Sequence, residues 1–311
     1  AIMQIGLLES QDFSEEVLES LKKIGDVSLF DSKDLDAFIL DKEVLFIRLN
    51  YYISLEFLTK AKQLKYICTP TTGLNHIDLI ECQKRNIKVV SLKDEYHFLK
   101  TIRATPEHTI GLIIGLLRNY AQAINVGSIK ECNRELYKGE ELYQNNVGII
   151  GFGRVGKILS SYLEVFGAKV LFYDIDEKIE GDGHAVKVNS IRELIDHSKI
   201  IVLSASYSIE FDGFIDKLLL GMMRNRYFIN IARGELVDES HLLEKIKEGF
   251  FKGVALDVVR NETNPLEYDK WINVDSSINF IHTPHIAGAT YESMQKTEQF
   301  IFQKLLLDVK N

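Results

Sequence analysis

Residues 149–157 read Ile149-Ile150-Gly151-Phe152-Gly153-Arg154-Val155-Gly156-Lys157. A GxGxxG spacing alone is weak evidence, and its flanks make it specific. Asn146–Ile150 is a short apolar run that reads as a strand. Val155, Ile158, Leu159, Tyr162, Leu163 and Phe166 then fall at helical spacing. A second strand-like run, Lys169–Tyr173, ends at Asp174, 18 residues beyond Gly156. Each glycine has its own task in such a strand–turn–helix. Gly151 permits the tight turn, Gly153 leaves room for a diphosphate against the backbone, and Gly156 lets helix and strand pack closely. Unpaired N–H groups at the helix start face the diphosphate. A carboxylate at Asp174 would accept hydrogen bonds from ribose hydroxyls and repel a 2′-phosphate, and Asp176 adds charge of the same sign. The expected ligand is therefore NAD rather than NADP. The competing reading, a glycine-rich turn with no ligand, is disfavoured by strand, helix and acid occurring together.

Outward from this turn, short apolar runs alternate with helix-period segments. Met3–Leu8, Val27–Phe30, Val44–Arg48, Tyr66–Thr69 and Ile87–Val90 read as strands, with Glu15–Ile24, Ser54–Lys62 and Asp78–Arg85 as helices between them. The rhythm resumes with Asn146–Ile150, Lys169–Tyr173, Ile200–Leu203, Tyr227–Asn230, Val254–Leu256 and Ile278–Ile281. Alternation of this kind implies parallel sheets covered on both faces, an α/β class. A longer helix is expected from Pro106 to about Ala123, with Pro tolerated in its first turn. It separates the two sheet regions and suggests a boundary near residue 103. Tyr291–Val309 is again helical, and spacing alone does not say on which domain it packs.

The bulk numbers bound the function. A length of 311 residues suggests about two domains. The net charge of −8 argues against nucleic acid or an anionic membrane as partner. Cys68, Cys82 and Cys132 form no CxxC pair, which fits a reducing compartment better than a disulfide framework or a zinc site. No basic region precedes an apolar stretch near the N-terminus, so no signal peptide is expected. The most apolar helical run, Ile110–Leu117, is far short of the roughly 20 residues a membrane span needs. A cytoplasmic protein is expected.

Three further segments close strands with polar residues. Asn230-Ile231-Ala232-Arg233-Gly234-Glu235 follows one strand, and an Arg at such a C-terminal end lies where ligands bind in open α/β sheets. Its planar fork suits a carboxylate. Ala255-Leu256-Asp257-Val258-Val259-Arg260-Asn261-Glu262 closes another, and His282-Thr283-Pro284-His285-Ile286-Ala287-Gly288 a third. Taken singly, a strand-end Arg is more often a surface ion pair and a loop Glu merely solvated. His282 and His108 read as structural histidines. No further Cys or His joins the His282/His285 pair locally, so no metal is expected.

With these residues the chain resembles the D-isomer-specific 2-hydroxyacid dehydrogenase family, and within it the 3-phosphoglycerate dehydrogenases. The segments that carry the resemblance are Thr71–Asp78 (TTGLNHID), Pro106–Thr109 (PEHT), Ile149–Lys157, Phe172–Asp174 (FYD), Asn230–Glu239 (NIARGELVDE), Ala255–Val258 (ALDV) and Thr283–Gly288 (TPHIAG). They span nearly the whole chain in the family's order, with the family's intervals from Arg233 to Glu262 and from Glu262 to His285.

The resemblance implies two doubly wound parallel-sheet domains: a Rossmann NAD-binding domain, residues 104–285, inserted into a flavodoxin-like substrate domain, residues 1–103 and 286–311. It implies hydride transfer between NAD and a small D-2-hydroxy or 2-oxo acid such as 3-phosphoglycerate, glycerate or glyoxylate. His285 would be the general acid, and the base in the reverse direction. Glu262 would orient the imidazole and favour its charged form. Arg233 would bind the substrate carboxylate. Backbone N–H groups around Thr72, Gly73 and Leu74 would form a second carboxylate grip, an anion nest. Arg48 matches a substrate-side basic residue of some members. On the cofactor side the resemblance implies Gly151, Gly153, Arg154, Val155, Gly156, Asp174, Ala205, Ile231, Ala232, Arg233, Asp257, His285 and Gly288. Arg154 and Val155 would offer N–H groups to the diphosphate, and Asp257 would face the nicotinamide side. A homodimer is implied, with Gly127–Leu142 in its contact.

There are departures from the family pattern. Ser204-Ala205-Ser206-Tyr207 lacks the Pro common in that loop, and Thr263 replaces the usual Pro after the catalytic Glu. These bear on loop shape rather than chemistry. Two other readings stand beside the dehydrogenase. One is an NAD-sensing, partner-binding protein of the same fold. The other is formate-type oxidation, against which Glu262 argues, because formate enzymes of this kind carry an amide there.

Overall fold

The computed structural model describes residues 2–124 and 133–310. Cys132 and the first part of the Gly127–Leu142 segment expected at a dimer contact lie outside the described residues. The chain forms two compact units, Ala1–Thr101 with Ala289–Asn311, and Ile102–Gly288. The divisions fall two and three residues away from the boundaries expected near 103 and 285. The carbonyl of Ile102 accepts a hydrogen bond from Arg154 Nη1 at 3.0 Å, and Ala287 N–H donates to Asp257 at 3.0 Å, so both flanking segments belong to the second unit.

In the first unit, β1 (Met3–Leu7), β2 (Gly25–Leu29), β3 (Val44–Phe46), β4 (Tyr66–Cys68) and β5 (Lys88–Val90) form one parallel sheet in the order β2-β1-β3-β4-β5. This is the flavodoxin-like order. Its helices start where the sequence supplies caps: Ser14, Ser54 and Asp78 each accept the N–H three residues on. Leu45, Ile47, Ile53, Leu58 and Ile67 build one buried cluster. Helix Tyr291–Lys310 packs on this unit, which spacing had left open. Ile301 and Leu305 are fully buried, and the rings of Phe300 and Phe98 stack at 3.9 Å.

In the second unit, β6 (Asn146–Ile150), β7 (Lys169–Tyr173), β8 (Ala185–Lys187), β9 (Ile200–Leu203), β10 (Tyr227–Asn230), β11 (Gly253–Leu256) and β12 (Phe280–His282) form a parallel sheet. The order β12-β11-β10-β9-β6-β7-β8 is the Rossmann arrangement extended by one strand. β9, β10 and β11 are buried at every position, as all-parallel strands covered on both faces must be. The edge strand β8 escaped the sequence reading, because three residues with two exposed carry neither an apolar run nor a clear alternation. The single helix expected from Pro106 to Ala123 is corrected to two, Ala104–Leu117 and Tyr120–Ala123. Asn119 adopts a left-handed backbone (φ 53°), and the N–H groups of Arg118 and Asn119 close the first helix on the Ile114 and Leu116 carbonyls, respectively.

Candidate active site

The glycine turn joins β6 to helix Arg154–Val165. Gly151 has φ +89°, and a Cβ there would lie 2.5 Å from Ala205 Cα, so both backbone freedom and space require glycine. A Cβ on Gly156 would lie 2.6 Å from the Gly151 carbonyl oxygen, so helix and turn touch there. A Cβ on Gly153 meets nothing within 4 Å. That open ground lies at the helix start, where Gly153 as N-cap has no side chain to cover the first-turn N–H groups contributed by Arg154 and Val155. It fits a diphosphate. Asp174 Oδ2 accepts the Phe152 N–H at 2.7 Å, and Oδ1 accepts the Asp176 N–H at 2.9 Å. The acid therefore also braces the turn. Ser204 stands in the proline-free loop; its Oγ donates to the Gly151 carbonyl at 2.6 Å, fastening Ala205 beside the turn.

Arg233 follows β10 in a turn clamped by Asn230, whose Oδ1 accepts the Ala232 N–H at 3.0 Å and whose Nδ2 donates to the Arg233 carbonyl at 3.0 Å. Ile231 and Ala232 are buried beside it. Arg233 Nη1 donates to the Ala232 carbonyl at 2.6 Å. Burial draws its pKa down, against the supporting charges of Glu262, Glu235 and Asp257.

His285 Nδ1 lies 2.7 Å from Glu262 Oε2, and Glu262 Oε1 accepts the Val259 N–H at 3.2 Å. His285 has φ +53°, and Asn261, just before Glu262, has φ +50°. Such backbones are uncommon outside glycine and persist only where surroundings hold them. Asp257 does much of that holding. It is 1% exposed. Its carbonyl accepts the His285 N–H at 2.8 Å, and its carboxylate accepts Thr283 Oγ1 at 2.6 Å and the N–H groups of Ile286 and Ala287 at 2.9 and 3.0 Å. His108 Nε2 stands 3.4 Å from the same carboxylate and 3.2 Å from Thr283 Oγ1. Burial would raise Asp257, but the hydrogen bonds from His108, Thr283, Ala287 and Ile286 outweigh it and hold the carboxyl below its ordinary value. The family resemblance implies a nicotinamide-side role for Asp257; in the structure its carboxylate oxygens have these partners. Gly288, expected on the cofactor side, closes the same loop and is exposed.

His282 ends β12 with its ring centroid 4.7 Å from that of Tyr268. Burial pushes its pKa down against the charges of Asp257 and Glu262. Among the described residues no group of three or more His, Cys, Asp or Glu side chains could hold a metal ion. No helix among them is long and apolar enough to cross a membrane.

In the first unit, Thr71 Oγ1 donates to the Gly73 carbonyl at 3.0 Å, and the Leu74 carbonyl accepts the Ile77 N–H at 3.0 Å. The N–H groups of Thr72, Gly73 and Leu74 are not spent on hydrogen bonds within the described residues. Arg48, just past β3, is committed elsewhere: Nη2 to Glu298 Oε1 at 2.7 Å and Nη1 to the Gln11 carbonyl at 2.7 Å.

Residues 110–287 match the family described as D-isomer specific 2-hydroxyacid dehydrogenase, NAD binding domain. The chain belongs to this family. Its likeness to individual 2-hydroxyacid dehydrogenases extends over nearly its whole length. It is 31% identical over 307 residues to a glyoxylate reductase of Thermofilum pendens, covering 94% of this chain and 88% of that one. It is 29% identical over 298 residues to the D-3-phosphoglycerate dehydrogenase of Methanocaldococcus jannaschii, covering 94% of this chain and 55% of that one. Among solved structures it is similar to the D-lactate dehydrogenase of Aquifex aeolicus complexed with NAD and lactic acid. That match has a TM-score of 0.84 at 25% identity, covering 99% of this chain and 95% of that one. As a 2-hydroxyacid dehydrogenase this chain is an NAD-dependent oxidoreductase.

Asn230, Thr283 and Glu239 had no role in the sequence reading. Asn230 had one signal, a polar amide closing an otherwise apolar buried strand. Thr283 and Glu239 had only their place in the family-like segments, which assigns neither a partner, because those partners lie 26 and 21 residues away in the chain.

Proposed function

We propose that the protein interconverts a small 2-oxo acid and its D-2-hydroxy acid, with glyoxylate, glycerate or 3-phosphoglycerate as candidate substrates. The observation that carries this reading is the 2.7 Å contact between His285 Nδ1 and Glu262 Oε2, in the same unit as the glycine turn. NAD supplies the hydride acceptor, and in its reduced form the donor. With Nδ1 engaged by Glu262, His285 exchanges its proton at Nε2, giving it to the carbonyl oxygen on reduction and removing it from the hydroxyl on oxidation. The Arg233 fork binds the substrate carboxylate. The N–H groups of Thr72, Gly73 and Leu74 bind an anionic group of the substrate. Gly153, Arg154 and Val155 cradle the diphosphate, and Asp174 binds the adenosine ribose.

On the same reading the protein works in the cytoplasm, where its buried Cys68 and Cys82 thiols stay reduced. It works as a homodimer, for which the exposed Tyr120, Ile124, Leu136 and Tyr143 offer apolar contact surface. Light scattering of the purified protein tests the dimer.

The deciding assay is NADH oxidation with a panel of 2-oxo acids, with His285→Ala alongside. We expect turnover with at least one acid, and its loss by orders of magnitude in the variant while NADH still binds. Tight NADH binding without oxidation across the panel would instead indicate an NAD-sensing protein.

A further inference from the structure

Arg233 and Glu262 come from two different loops, and the structure shows what fastens those loops together. A Cβ on Gly234, the residue after Arg233, would lie 2.2 Å from the carbonyl carbon of Val259 and 2.3 Å from the Arg260 nitrogen. The two backbones are therefore in direct contact. Beneath that contact lies Glu239, 5% exposed, at the start of helix Glu239–Lys247. Its Oε1 accepts the Arg260 N–H at 2.7 Å. From the other side, Arg260 Nη2 donates to the Glu235 carbonyl at 2.5 Å, Nε donates to the Val237 carbonyl at 3.3 Å, and Nη2 pairs with Asp212 at 3.0 Å. Val259, one residue before Arg260, donates its N–H to Glu262 itself.

We propose that Glu239 is a positioning residue of the active site: by holding the Arg260 N–H against the Gly234 turn, it keeps the loop that presents Glu262 to His285 in register with the turn that presents Arg233. The role rests on the dehydrogenase reading for its consequence in turnover, but not for its geometry. A buried carboxylate is an expensive way to satisfy one N–H. Among the described residues Glu239 Oε2 accepts no hydrogen bond, and Lys270 Nζ is 3.8 Å away. Burial pushes the group up to about 7, against the Arg260 N–H and the charges of Lys270 and Arg260, with Glu235 adding to the rise. A polar group retained at such cost is explained by what it positions.

The test compares Glu239→Gln, which keeps an oxygen acceptor in place, with Glu239→Ala, which removes it. The first readout is the downfield proton resonance of the His285–Glu262 hydrogen bond, assigned by its loss in Glu262→Ala. It is read on the full chain whether or not any substrate turns over. We expect the resonance to survive in Glu239→Gln and to be lost in Glu239→Ala, with NADH affinity within about threefold of wild type in both. The second readout is steady-state reduction of a 2-oxo acid. Here kcat should fall at least tenfold in Glu239→Ala and recover most of that in Glu239→Gln. A resonance unchanged in Glu239→Ala, or lost equally in both variants, overturns the proposal. Wild-type protein that oxidises no NADH, yet shows the expected pattern of resonances, overturns the dehydrogenase reading and leaves this one standing.

Discussion

His285 Nδ1 and Glu262 Oε2 stand 2.7 Å apart, although 23 residues of chain separate them and each is adjacent to, or itself in, a left-handed backbone. The pair assigns the two ring nitrogens different tasks. Nδ1 is held by the carboxylate, and on the proposed mechanism proton exchange would fall to Nε2.

Removing either partner should therefore act on chemistry rather than on cofactor binding. Proton transfer by a placed side chain contributes about 10²- to 10⁴-fold to such reactions. We expect His285→Ala to lose turnover within that range. Glu262→Gln keeps the size of the side chain without its charge, and should lose about tenfold or more by the same argument. NADH fluorescence titration should give nearly wild-type affinity for both. A kcat within twofold of wild type for His285→Ala would remove this histidine from the mechanism.

Gly153 and Gly156 should fail in opposite ways when changed to Ala. The new Cβ at Gly156 would crowd the Gly151 carbonyl at 2.6 Å, and overpacking of this kind costs roughly 1–3 kcal/mol. The new Cβ at Gly153 meets no protein atom within 4 Å, so only the weaker N-cap preference is lost, about 1 kcal/mol or less. NADH affinity, however, should drop sharply at Gly153, where the diphosphate would meet the methyl group. Thermal melts without cofactor and NADH titrations separate the two, and equal loss of affinity with no melting difference would contradict the assignment.

Arg48 pairs with Glu298, whose side chain is 1% exposed. Arg48→Ala would leave a buried carboxylate without its counter-charge, held by the Ser14 N–H at 2.9 Å, and removing one partner of a buried pair costs about 3–5 kcal/mol. Replacing both residues by apolar ones of similar size should recover much of the loss. Urea unfolding of the single and double variants measures this. A loss below about 1 kcal/mol for Arg48→Ala, the range of exposed pairs, would mean that the pair contributes little to the fold.

Glu239 also predicts a pH dependence of stability. Its value rises from 4.5 to about 7 on folding. Between those two values the folded chain keeps a proton that the unfolded chain has released. This contribution to stability is therefore full below the unfolded value, declines as pH rises through the window, and is gone above the folded value, a swing of roughly 3 kcal/mol. Glu239→Gln cannot titrate, so its stability relative to wild type should rise across pH 4.5 to 7 and then level off. A difference that stays flat with pH in urea melts would show that the carboxyl titrates normally.

The sequence by itself determined the alternation of strand and helix, the glycine turn with Asp174, and the Arg, Glu and His at strand ends. These are local matters: periodicity, backbone freedom and the chemistry of single side chains leave their mark within a few neighbouring residues. Tertiary structure decided the rest. It placed helix Tyr291–Lys310 on the first unit, paired Arg48 with Glu298, broke the helix at Asn119, and gathered Asp257, Thr283 and His108 beneath the His285 loop. It also put the Glu239 carboxylate against the Arg260 N–H. Such contacts join residues remote in the chain, and they are set by which surfaces the packed sheet and helices bring within a few ångströms. No spacing rule along the sequence encodes that.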